Sequence, residues 1–129
     1  MKILVADDEA SLRSLYKQLF EAEKYQVDLA EDGEQALIFL QKGGYDLVLL
    51  DIQMPKMDGF ATVEALKRIS SVIPNGPIYF LTNNEDEVAV AKGISLDVQG
   101  YLIKSQYTPD KLVVEVKRIL EEEKAKTIK

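Results

Sequence analysis

The sequence predicts a three-layer α/β domain, (βα)5, built on a five-stranded parallel sheet with strand order 2-1-3-4-5. Three observations predict it. Short apolar runs such as Ile3-Leu4-Val5-Ala6 and Leu47-Val48-Leu49-Leu50 lack polar alternation, as strands buried on both faces do. Segments with apolar residues at helical spacing separate these runs, so strand and helix alternate. The chain has 129 residues, 47% of them apolar, enough for one core, and no linker, repeat or low-complexity stretch interrupts the first 120 residues. Strict alternation implies right-handed crossovers, and so helices on both faces of the sheet.

The first strand is expected over residues 2–6. Leu12, Leu15, Tyr16, Leu19 and Phe20 then form the apolar stripe of the first helix. After a second strand over 26–30, Asp32 and Gln35 have the spacing of a capping box, opening a helix through Ala36, Leu37 and Leu40. The third strand is expected over 46–50. The third helix starts near Gly59, carries Phe60, Val63 and Leu66, and ends before Pro74. A fourth strand over 78–82 leads to Asn84 and Glu87, which cap a short fourth helix that Gly93 ends. After a fifth strand over 99–103, Thr108-Pro109 starts the last helix, with Leu112, Val113, Val116, Ile119 and Leu120 as its stripe. The domain is expected to cover 1–122, leaving 123–129 as a charged, frayed tail.

Composition excludes several classes of function. A net charge of -6 argues against a broad nucleic-acid or anionic-membrane surface. With no cysteine there are neither disulfides nor thiolate metal sites, and with no histidine there are no imidazole ligands or phosphohistidine. Met1-Lys2-Ile3 leads straight into a strand, and no apolar run approaches the roughly 20 residues needed to span a bilayer. A cytoplasmic protein without membrane insertion is the expectation.

The chemistry gathers at strand ends. Asp7 and Asp8 close the first strand and Asp51 closes the third, the two strands that flank the switch point of a 2-1-3-4-5 sheet. Three adjacent carboxylates raise one another's pKa unless a cation joins them. Thr82 ends the fourth strand and Lys104 the fifth. Strands lie about 4.8 Å apart, so the third and fifth strand ends are roughly 10 Å apart. A lysine reaching back across roughly 6 Å of that leaves room for about one phosphoryl group. A carboxylate nucleophile, a cation, a hydroxyl and an ammonium suit transfer of an anionic group to Asp51. Hard Mg²⁺ is the cation that such oxygen ligands prefer.

These residues, with Met54-Pro55 and Asp58-Gly59 in the loop after Asp51, resemble the receiver domain of two-component response regulators, a flavodoxin-like fold. The likeness covers the chain to about residue 122. It implies that Asp51 accepts a phosphoryl group from a sensor histidine kinase or phosphotransfer protein, or slowly from small phosphodonors. It implies Asp8 as direct Mg²⁺ ligand, Asp7 as ligand through water, and the Gln53 backbone carbonyl beside Asp51. Thr82 and Tyr101 would turn inward as the switch, and Lys104 would pair first with Asp51 and then with the phosphoryl group. Gln53, Asn83 and Asn84 stand where side chains tune acyl-phosphate lifetime. Asn83 replaces the usual small residue, and Ser105 replaces the proline that usually follows the lysine, which bears on the cis peptide usual there.

The resemblance further implies a stand-alone, chemotaxis-type phosphoprotein that acts on itself and is not an enzyme with a separate substrate. A downstream protein would bind the surface of the fourth helix, fifth strand and last helix, where a homodimer is also possible. No output domain follows, so no direct nucleic-acid binding is expected. Two alternatives stand beside this. One is a constitutive scaffold indifferent to phosphorylation. The other is a Mg²⁺-dependent phosphohydrolase with Asp51 as covalent nucleophile, disfavoured because Gln53 stands where such enzymes carry a second acid.

Overall fold

Successive side chains of a strand point to opposite faces, so an all-apolar strand needs cover on both sides. The computed structural model of the chain describes residues 1–69, 73–83, 96 and 98–128. Five parallel strands, β1 (Lys2–Ala6), β2 (Gln26–Ala30), β3 (Leu47–Asp51), β4 (Ile78–Thr82) and β5 (Gly100–Ile103), lie in the order β2-β1-β3-β4-β5. The order is the expected one. Ile3, Val5, Leu47 and Leu49 pack on Tyr16 and Phe20 of α1 (Ala10–Ala22) and on Leu112, Val116 and Ile119 of α4 (Pro109–Ile128). Leu4, Ala6, Val48 and Leu50 pack on Ala36 and Leu40 of α2 (Gly33–Lys42) and on Val63 of α3 (Gly59–Arg68). Residues Ile3 to Ala6 and Leu47 to Leu50 are all fully buried, and each Leu, Ile or Val among them contributes about 1.5–3 kcal/mol by leaving water. The helix expected from Asn84 to Gly93 lies outside the described residues.

Local signals set the ends. Asp32 accepts the Gln35 N–H at 2.8 Å, and the Gln35 side chain accepts the Glu31 N–H at 3.0 Å, one residue before a strict capping box would place it. Asp58 caps α3 by accepting the Ala61 N–H at 2.7 Å. Thr108 accepts from the Lys111 N–H at 3.4 Å, with Pro109 as the first residue of α4.

β5 starts one residue later than expected, and β3 and the last helix differ more. β3 ends on Asp51 itself, because Asp51 is paired in register with Leu81 of β4. α4 continues to Ile128, through the charged segment set apart as a frayed tail, with Arg118–Glu122 and Glu123–Lys126 ion pairs one turn apart along it.

Register is what assembles the site. Ala6 is level with Leu50, Asp51 with Leu81, and Thr82 with Ile103. The residues that follow, Asp7, Thr82 and Lys104, therefore emerge along one edge of the sheet.

Candidate functional site

A residue at the carboxyl end of a buried strand is held rigidly yet opens onto the surface. At that edge an open cleft of about 720 Å³ is lined by Asp8, Asp51, Ile52, Gln53, Met54, Pro55, Asp58, Phe60, Thr82 and Asn83. Asp7 is fully buried and Asp51 nearly so, whereas Asp8 is exposed. One carboxylate oxygen from each of the three lies within 4.8 Å of the others.

Lys104 supplies the counter-charge. Its ammonium donates to Asp51 Oδ2 at 3.2 Å and lies 2.8 Å from Asp7 Oδ2, so it is shared between two acids and closer to Asp7 than the sequence alone foretold. Burial opposes the Lys104 charge, but the adjacent Asp7 and Asp51 carboxylates outweigh it and hold the pKa above the ordinary lysine value. Burial raises Asp51 most. Lys104 pulls it back, the neighbouring Asp7 charge adds to the rise, and the carboxyl ends at about 6 against an ordinary 3.8. The Gln53 N–H also steadies Asp51, reaching Oδ1 at 3.3 Å.

The cluster fits a hard divalent cation. All donors are oxygens, and Asp7 Oδ2, although close to Lys104, accepts no aligned hydrogen bond. Carboxylate oxygens this close together suit one small, hard cation such as Mg²⁺, which prefers oxygen ligands and keeps several waters.

Gly59 makes this geometry possible. A Cβ there would stand 2.6 Å from the Asp51 carbonyl oxygen and 3.0 Å from Ile52 Cα, so only glycine lets the start of α3 sit against the end of β3. Its N–H donates to the Ile52 carbonyl at 2.8 Å. Tyr101 is half-buried on β5 and is not part of the cleft lining; its ring lies 5.8 Å from that of Phe80, which meets Phe60 edge-on at 5.2 Å. The Lys104–Ser105 peptide is trans, and residues Lys104–Gln106 form a 3-10 turn leading toward α4. Asn84 lies outside the described residues.

Residues 3–117 match the sequence pattern of the response regulator receiver domain. The chain belongs to this family. The receiver is 39% identical over 119 residues to transcriptional regulatory protein CpxR of Escherichia coli K12, covering 92% of this chain and 49% of that protein. It is 34% identical over 119 residues to transcriptional regulatory protein ResD of Bacillus subtilis, again over 92% of this chain and 48% of that protein. The receiver thus spans about half the length of these curated relatives. Among solved structures it superposes on chemotaxis protein CheY4 of Vibrio cholerae with a TM-score of 0.78 and 30% identity, covering 91% of this chain and 96% of that one. A CheY-like receiver domain protein of Methanospirillum hungatei, at 23% identity, shares the fold with a TM-score of 0.84, covering 97% of each chain.

Two residues near the cleft of the receiver escaped sequence reasoning. Phe60 was read only as part of a helix stripe, yet it lines the cleft. Arg13, one helical turn into α1, donates from Nη1 to the Asp7 carbonyl at 2.7 Å. A lone arginine on a helix of mixed polarity gives no signal of this in the sequence.

Proposed function

We propose that the receiver is a phosphorylation switch in which Asp51 takes a phosphoryl group in a Mg²⁺-dependent transfer. The observation that carries this reading is the shared ammonium of Lys104, 2.8 Å from Asp7 and 3.2 Å from Asp51, in a cleft also lined by Thr82. A cleft built only for structure would have no reason to hold a buried lysine between two buried acids, since an apolar set of similar volume is as stable or more so.

In the transfer an Asp51 carboxylate oxygen attacks phosphorus while the bond from phosphorus to the donor breaks. The leaving electrons go to the donor, a histidine nitrogen on a sensor kinase or phosphotransfer protein. Asp8, Asp51 and the Gln53 carbonyl would hold Mg²⁺, with Asp7 acting through water, and the bound ion would neutralise carboxylate and phosphoryl oxygens together. Lys104 moves its pairing from Asp51 to the new phosphoryl group. Thr82, at the cleft wall, hydrogen-bonds a further phosphoryl oxygen, and Tyr101 follows inward. Gln53, Asn83 and Asn84 set how water reaches the acyl phosphate. The added charge biases two states of the surface around β5 and α4, which a downstream protein reads. We place the domain boundary near residue 122 and the protein in the cytoplasm; no helix among the described residues is long and apolar enough to cross a membrane.

Incubation with acetyl phosphate and Mg²⁺ tests this directly. The wild type should gain one phosphoryl group, lost with chelator, and Asp51→Asn should gain none. Label on Asp51→Asn would remove Asp51 as the acceptor. Sustained turnover of small phosphate esters would instead support the phosphohydrolase, and partner binding unchanged by phosphorylation would support the scaffold.

A further inference from the structure

One side chain ties together the two turns beside the acidic cluster. Arg13 donates from Nη1 to the carbonyl of Asp7 at 2.7 Å, and its Nη2 lies 3.6 Å from the Glu31 carboxylate in the turn between β2 and α2. Its side chain is only 16% exposed, so the fork is held in place by packing. Glu31, more than half exposed, also accepts from Gln35 Nε2 at 3.1 Å.

Every other polar atom of Asp7 is already directed. Its N–H donates to the Ala30 carbonyl at 3.1 Å, Oδ1 accepts the Glu9 N–H at 2.9 Å, and Oδ2 faces Lys104 at 2.8 Å. The carbonyl that Arg13 holds belongs to the planar peptide unit that also carries the Asp8 nitrogen. Fixing that oxygen fixes the plane, and with it the direction in which Asp8 leaves the chain toward the cleft.

We infer that Arg13 is a positioning residue for the cation site, which it serves by locking the Asp7–Asp8 peptide plane to the β2–α2 turn. This rests on the proposed reading of Asp8 and Asp51, with Asp7 acting through water, as the Mg²⁺ site. The two roles open to Arg13 predict opposite signs. If it acted only as a nearby positive charge, removing it would tighten Mg²⁺ binding, because one cation would no longer repel another. If it acts as a clamp, removing it loosens Asp8 and weakens binding, as losing the outer support of a metal ligand weakens affinity by about tenfold or more.

The test is calorimetric titration of the unphosphorylated chain with Mg²⁺. Arg13→Ala should weaken Mg²⁺ binding by about tenfold. Arg13→Lys keeps the charge but cannot fork between two acceptors, and should weaken binding in the same direction. Glu31→Gln should weaken it less, and should add little to Arg13→Ala in the double variant, since both remove one clamp. Should Arg13→Ala fail to fold, the Lys and Gln variants carry the same test. Tighter binding in Arg13→Ala, or unchanged affinity with lowered thermal stability, overturns the clamp. A wild type that binds no Mg²⁺ overturns the cation reading itself, a separate result from a wild type that binds and Arg13 variants that match it.

Discussion

Asp51→Asn should make the metal-free receiver more stable, and the size of the gain should depend on pH. The Asp51 carboxyl sits at about 6 in the folded chain against an ordinary 3.8, because burial and Asp7 outweigh the help from Lys104. A raised carboxyl binds its proton more tightly when folded, so stability falls as pH rises through the interval between the two values. Two pKa units at 1.36 kcal/mol each give an upper bound near 3 kcal/mol above pH 6. The amide keeps the volume, removes the like charge facing Asp7, and leaves Lys104 paired with Asp7 alone, so a net gain of about 1–2 kcal/mol is expected at pH 7.5. Urea unfolding of both proteins in chelator, at pH 4 and pH 7.5, measures it. The gap should be near zero at pH 4 and open between pH 4 and 6. A variant no more stable at pH 7.5, or a gap equal at both pH values, refutes the electrostatic account of the cluster.

Lys104→Met leaves two buried acids without their ammonium and should lower metal-free stability by about 3 kcal/mol, with the loss shrinking in Mg²⁺; denaturant midpoints with and without the ion report it. Gly59→Ala must push a methyl group against the Asp51 carbonyl, costing about 1–3 kcal/mol by thermal unfolding and slowing phosphoryl labelling from acetyl phosphate. Tyr45→Phe removes the 2.6 Å hydrogen bond from the buried Tyr45 hydroxyl to Asp28 and should cost about 1 kcal/mol, leaving labelling unchanged.

Most of the fold could be read because its signals are local and redundant. The runs Ile3 to Ala6 and Leu47 to Leu50 are apolar at every position, as strands buried on both faces are, and alternation with helices makes the sheet parallel. Asp7, Asp8, Asp51, Thr82 and Lys104 were visible because each closes such a run. The sharing of Lys104 between Asp7 and Asp51 was not visible, because it depends on the depth at which each carboxylate sits. Asp7 is fully buried and Asp8 is not, a difference of one residue that no pattern encodes. Gly59 reads in the sequence only as a helix start; its need for glycine comes from the approach of α3 to Asp51, a tertiary distance. Arg13 is hidden for the same reason, since its acceptors lie six residues back and eighteen residues ahead, brought together only by the pairing of β1 with β2. The helical course of α4 past residue 122 was missed because a charged run reads as solvent-loving, although pairs such as Glu123–Lys126 suit a helix surface equally well.

The lysine resting between two acids also fixes the valence the cleft can balance. Three carboxylates against one ammonium leave a deficit of two positive charges, which one divalent ion cancels and one monovalent ion halves. In the proposed transfer Asp51 would exchange its single charge for an acyl phosphate of about -1.5 to -2, and that balance would tip negative again by about half to one charge. That surplus would fall at the phosphoryl oxygens, in the cleft that Thr82 lines, so a hydroxyl brought there would answer a charge the unphosphorylated pocket never had.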